Sequence, residues 1–154
     1  MERRDFLTSS GATALALAAG TSLTNAQAQN APGWNKAAFD TKSLADAAKA
    51  MGATTAPVES KDLILQAPEI AENGSVVRVG VQSNLANTTQ ISFVVEKNPS
   101  ALAAMFDIPA GTDANVSTNI KMAQSSNVYA LAKVGEKFFY AVKEVKVTLG
   151  GCGG

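Results

Sequence analysis

From residue 61 to Leu149, apolar side chains return at every second position, in short runs parted by turn-forming residues. Successive side chains of a strand point to opposite faces, so this alternation restricts the chain to sheets with one face buried. Val77, Val79 and Val81 face one way, and Arg78, Gly80 and Gln82 the other. Ile91, Phe93 and Val95 alternate with Ser92, Val94 and Glu96 up to the turn Lys97-Asn98-Pro99-Ser100. Leu102, Ala104, Phe106 and Ile108 make the next apolar set, closed by Pro109-Ala110-Gly111. Val116, Thr118, Ile120 and Met122 alternate with Ser117, Asn119 and Lys121. A further strand begins at Leu63 and is interrupted or ended at Pro68, and Asn73-Gly74 is a hairpin signal. Two last strands flank Gly135-Glu136, the second running from about Phe138 to Leu149. About seven short strands with frequent turns predict a mainly β fold, an immunoglobulin-like antiparallel β-sandwich.

Upstream of residue 61 the period is helical. Leu44, Ala47, Ala48 and Met51 share one face of a short N-terminal helix, with Thr41 or Ser43 suited to cap its start, Asp46 completing a box-like pattern from Ser43, and Gly52 suited to stop it. This face is expected to pack in the core or, with open strand edges, to offer surface to a companion β-domain. Residues 29–38 read as a flexible leader containing Trp34. Before it, the pair Arg3-Arg4 with Phe6-Leu7, a short apolar stretch and Ala26-Gln27-Ala28 have the layout of a twin-arginine signal peptide over residues 1–28. The expected mature chain starts at Gln29, in an oxidising compartment. The expected domains are thus the signal over 1–28, the β-domain over 29–149 and a terminal tail over 150–154.

Charge narrows the choice of partners. Thirteen basic side chains balance 13 acidic ones, and removing the signal takes two of each sign. Such a chain carries no electrostatic footprint for nucleic acid or for an anionic membrane. No apolar run of spanning length is present in the expected mature chain.

The sequence contains no histidine, so Cys–His, Ser–His–Asp and histidine-ligated metal chemistry have no residue to act through. Asp107 and Asp113 fall near turns and read as solvated. No pattern calls for a cofactor. What is left is the one cysteine, Cys152, flanked by Gly150-Gly151 and Gly153-Gly154. A lone exported cysteine has no internal disulfide partner. Free cysteines are commonly buried as small hydrophobes, but four glycines offer no side chain to bury this one against. Glycine also leaves the backbone free to turn, so the segment reads as a loose arm carrying a thiol. An ordinary thiol is mostly protonated at neutral pH, and the nearby terminal carboxylate disfavours a second negative charge. The thiol is therefore a poor catalyst and a good handle.

Other readings of the tail meet obstacles. A prenylation box needs three residues after the cysteine, and two follow Cys152. A ubiquitin-like carrier activated at Gly153-Gly154 needs ATP-dependent adenylation, at odds with export. An exported immunoglobulin-like binding module with an incidental terminal thiol stays open as the alternative.

The twin-arginine signal, the β-sandwich and the terminal GGCGG (Gly150 to Gly154) together resemble the SoxY family, sulfur-carrier subunits of the thiosulfate-oxidising Sox system. Pro68–Val81 and Phe93–Phe106 resemble stretches of that family, with Ala101 standing where a second proline is expected. The resemblance implies a periplasmic, non-enzymatic carrier that holds sulfur intermediates covalently on Cys152, with Gly150, Gly151, Gly153 and Gly154 giving the arm its freedom. It also implies partners: a SoxZ-like subunit in a heterodimer, a conjugating c-type cytochrome, a sulfate-releasing hydrolase and a sulfane dehydrogenase.

Overall fold

A computed structural model describes residues 35–149 of the chain. The expected signal over 1–28, most of the leader with Trp34, and Gly150 to Gly154 with Cys152 lie outside the described residues. The fold is mainly β, and its two sheets face each other across one core. In chain order the strands are β1 (Val58–Glu59), β2 (Leu63–Gln66), β3 (Ile70–Ala71), β4 (Val77–Ser83), β5 (Thr88–Val95), β6 (Leu102–Asp107), β7 (Asn115–Ile120), β8 (Ser126–Val134) and β9 (Lys137–Val147). The larger sheet runs β1-β9-β8-β5-β6, with β3 also beside β9, and the smaller runs β2-β4-β7.

The alternation read from the sequence builds the core between these sheets. Val77, Val79 and Val81 of β4 meet Ile91, Phe93 and Val95 of β5 and Val128, Ala130 and Ala132 of β8, all buried. On β7, Val116, Thr118 and Ile120 turn inward while Asn115, Ser117 and Asn119 are exposed. The hairpin at Gly135-Glu136 forms as expected, with Val134 opposite Lys137 and Gly135 at φ 60°. Glycine enters that region without the Cβ clash that penalises other residues. Ser92 and Val94 are buried as well, because the outer face of the large sheet is covered.

Helices provide that cover. Ser43 accepts a hydrogen bond from the Asp46 amide at the start of α2 (Leu44–Ala50), and Gly52 follows the helix at φ 96°. Ala47, Ala48 and Met51 pack on Val94, Leu102, Leu131 and Phe138. The stripe is therefore closed over the chain's own sheet and offers nothing to a companion domain. Residues 35–38 also depart from the expected leader. Asn35 caps a one-turn helix, α1 (Lys36–Phe39), whose Ala38 is buried in the same cluster.

Three further departures have local causes. There are nine strands among the described residues rather than about seven, and β1 and β3 pair with β9 in parallel, not antiparallel. Each of these two strands is two residues long, too short to carry a period. Leu102 does not share a face with Ala104 and Phe106. Phe93 pairs with Ala104 but Val94 with Leu102, so Ala103 is an extra residue that turns Leu102 toward the helices. Asn73-Gly74 makes no hairpin either: the strand before it, β3, joins the large sheet and β4 after it joins the small one.

Candidate functional site

Cys152 and the four glycines around it lie outside the described residues, so the site is described at its root, where the chain leaves the sandwich. β9 arrives there held on both sides along its length. It pairs with β8 from Lys137 to Val145, while β3 takes its other edge at Lys146 and Val147. The Val147 amide donates to Ser125 Oγ at 2.8 Å, and the Thr148 amide donates to the Ala71 carbonyl at 3.1 Å. Thr148 Oγ1 donates to the Glu72 carbonyl at 3.0 Å. Finally the Gly74 amide donates to the Leu149 carbonyl at 2.7 Å, and the Gly74 carbonyl accepts from the Met122 amide, also at 2.7 Å.

Gly74 is thus a clamp between the end of β9 and the segment after β7, and it is buried. Sequence reasoning took Asn73-Gly74 for a hairpin and missed this role. The dipeptide does turn the chain, with Asn73 Oδ1 accepting from the Ser75 amide at 2.8 Å. What the sequence does not disclose is which strands the turn joins. Leu149 is the last described residue before the glycines, and its backbone is fixed while its side chain is 65% exposed.

Ile70 and Val76, both near this root, are 60% and 62% exposed. Ile70 stands opposite Lys146, and Val76 follows Gly74 by two residues. Around them Glu69, Glu72, Asn73 and Lys146 are exposed polar residues. Ile70, Val76 and Leu149 are thus exposed apolar residues on the segments that meet at the end of β9.

Elsewhere, Ser43 Oγ donates to Asp46 Oδ2 at 2.7 Å as part of the α2 cap. No group of three or more His, Cys, Asp or Glu among them is placed to hold a metal ion. A shallow groove on the small sheet is lined by Gln66, Arg78, Gly80, Ser117 and Lys143, and Lys143 Nζ is engaged by the Ala67 carbonyl at 2.7 Å. Asp107 closes β6, exposed, and accepts from Gln90 Nε2 at 2.9 Å, while Asp113 is exposed ahead of β7. No helix among the described residues is long and apolar enough to cross a membrane.

Ala101, standing where the resemblance leads one to expect proline, is buried, and its amide donates to the Thr41 carbonyl at 2.9 Å. Proline has no such donor. The departure thus ties the turn after β5 to the segment between the two helices.

Comparison with known proteins agrees with this architecture. Among curated proteins none matches the chain. A solved structure of the sulfur carrier protein SoxY from Chlorobium limicola f thiosulfatophilum is similar at 37% identity and a TM-score of 0.59, over 68% of this chain and 96% of that one. A lytic polysaccharide monooxygenase from Jonesia denitrificans is similar at 18% identity and a TM-score of 0.39, over 53% of this chain and 58% of its own, too slight a likeness for any argument. The family model for sulfur oxidation protein SoxY matches residues 47–152, from the middle of α2 through the β-sandwich to the cysteine of the glycine-flanked tail. By that match the chain belongs to the SoxY family.

Proposed function

We propose that the protein is a covalent sulfur carrier whose working atom is the Cys152 sulfur. The observation that carries this reading is a family match that runs through the whole described sandwich and ends on Cys152 itself. The described body supports it by what it supplies: a platform for the tail, with Leu149 held by Gly74. A group passed among several active sites needs a reactive atom on a narrow, freely turning segment. Glycine on both sides of the cysteine gives the smallest cross-section and the fewest torsional restraints. In this reading Gly150, Gly151, Gly153 and Gly154 are the joints of a swinging arm, and the chain is substrate rather than enzyme.

The chemistry balances without a catalyst in the carrier. Joining thiosulfate to the thiol forms an S–S bond, releases the thiol proton and passes two electrons to an oxidant, the role of a c-type cytochrome partner. Water then cleaves the terminal S–S bond, releasing sulfate and leaving a persulfide on Cys152. Oxidation of that outer sulfur to a sulfonate requires water and further electron acceptors, the role of a sulfane dehydrogenase. A second hydrolysis restores the thiol. A SoxZ-like subunit completes the carrier as a heterodimer. The place of this cycle is the periplasm, reached by the twin-arginine route, with cleavage after Ala28 leaving Gln29 as the first residue.

Intact mass of protein isolated from thiosulfate-oxidising cells tests the reading. Species heavier than the bare mature chain by sulfur, sulfite or thiosulfate units are expected, and a thiol reductant should remove them. Cys152→Ser should abolish both the adducts and thiosulfate oxidation. A chain that starts at Gln29 yet is only ever found with a bare thiol in such cells would refute the carrier role.

A further inference from the structure

We propose that Asn73 is a self-modification site guarded by the Gly74 clamp. Its side chain closes on the Gly74 nitrogen only when the end of β9 lets go, and the product keeps the clamp from closing again. The inference concerns the body of the protein and holds whatever the Cys152 sulfur carries. Asn73 is the one asparagine in the sequence that glycine follows. A side-chain amide at this spacing is open to attack by the main-chain nitrogen of the next residue, and glycine puts no Cβ in the way of that approach. Asn73 is exposed to water, whereas Gly74 is buried.

The step balances without a catalyst or an oxidant. The Gly74 nitrogen gives its proton to hydroxide and bonds to Asn73 Cγ, and the side-chain nitrogen leaves as ammonia. The product is a five-membered succinimide, which water opens on either side. Opening at Cγ leaves aspartate. Opening at the main-chain carbonyl leaves isoaspartate, with the former side-chain Cβ now part of the backbone. Both products carry one more negative charge than asparagine.

The fold opposes the first step from several sides. The Gly74 amide donates to the Leu149 carbonyl at 2.7 Å, so its proton is engaged and, being buried, out of reach of hydroxide. The Gly74 carbonyl accepts from the Met122 amide at 2.7 Å, which holds the residue from its other end. Asn73 Oδ1 accepts from the Ser75 amide at 2.8 Å, which ties the side chain toward residue 75. Release of Leu149 frees the nitrogen, and local openings of this kind cost less than unfolding the whole domain. Isoaspartate then adds a carbon to the main chain just ahead of Gly74. The Leu149 carbonyl and the Met122 amide, spaced for an ordinary peptide, no longer both meet it. The change is one-way: it marks a chain whose last strand has opened and leaves that end loose.

Mature protein held in mildly alkaline buffer tests the site. Trypsin cuts after Lys61 and Arg78 and yields peptide 62–78, in which converted Asn73 shows the mass of an acid in place of an amide, in two chromatographic forms. The folded protein should convert at least about tenfold more slowly than a synthetic peptide of the same sequence. The double variant Ser125→Ala, Thr148→Val loses the side-chain hydrogen bonds to the Val147 amide and the Glu72 carbonyl and leaves Asn73-Gly74 intact. It should convert faster, by the factor by which its Gly74 amide exchanges hydrogen faster. Urea below the unfolding transition should open the same end of the parent protein and act alike. Converted chains, separated by their added charge, should lose exchange protection at the Met122 amide and keep it along β5. Conversion of the folded parent at the rate of the free peptide, or first at another asparagine, overturns the proposal. So does faster exchange at Gly74, in the variant or in urea, without faster conversion of Asn73. Full protection of Met122 in isoaspartate-containing chains overturns the one-way consequence.

Discussion

Tyr129 and Tyr140 meet edge to face, with ring centroids 5.8 Å apart and an interplanar angle of 64°. Burial raises the Tyr129 hydroxyl above its ordinary pKa of 10.0, helped by the Glu96 carboxylate and by Tyr140, while a hydrogen bond with Asn127 works the other way. The folded protein therefore holds this proton more tightly than the unfolded chain. Stability from Tyr129 is whole below pH 10 and is lost as pH rises through the folded value. Tyr129→Phe should keep a constant stability offset from the parent at neutral pH and gain on it in strongly alkaline buffer, measured by urea unfolding at each pH. An offset that stays constant throughout would mean that the hydroxyl titrates alike in both states. Nothing in the sequence marks Tyr129, because Glu96 and Tyr140 are brought to it by strand pairing rather than by sequence spacing. Cys152 is the opposite case: isolation in composition and four flanking glycines single it out as a candidate from the sequence alone. Gly74 was visible as a turn former, but its partners Leu149 and Met122 lie far off in sequence.

Helix α2 was legible because cap, stripe and stop all lie within ten residues of one another, and local hydrogen bonds decide them. The longer strands were legible for the same reason, their period being a local property. The side of the sheet that α2 covers was not, since period alone cannot say which of two faces a helix will choose. Extra residues such as Ala103 are set by pairing with β5 rather than by β6 itself, so the reversal of Leu102 was hidden. Phe138 is the footing of the helical layer, fully buried beside Ala47, Ala48, Met51 and Leu131, with Lys133 Nζ 5.6 Å from its ring centroid. Lys133 also donates to the Met51 carbonyl at 3.0 Å, so one strand position ties the helix end to the sheet. Phe138→Ala should cost about 3–5 kcal/mol, read as a lowered urea midpoint, with amides of α2 losing exchange protection first. Equal loss of protection across both sheets would show that the helices and the sandwich unfold as one unit.

At the scale of the whole molecule, the two-sheet sandwich followed from the alternation, whereas the order of strands within each sheet did not. Pairings such as β1 with β9 join residues about eighty positions apart, and no local pattern encodes them. That order has a consequence for how the protein is made. β9 is the last described strand, yet β1, β3 and β8 all pair with it, and Phe138 and Val145 fill both cores. While the ribosome is still extending residues 35–136, the large sheet lacks a strand from its interior and two short strands have no neighbour. Non-local pairing of this kind is gained late and slowly. A chain terminated at Glu136 should therefore stay unfolded, shown by collapsed amide dispersion in NMR and rapid digestion by trypsin, whereas termination after Leu149 should leave the fold intact. Were the shorter chain to fold, β9 would be an addition to a complete sandwich. As built, premature termination before the last strand is finished yields debris for proteases rather than a sound body without its tail, so under the proposed carrier role translation errors there do not populate the cell with blank carriers competing for the same enzymes.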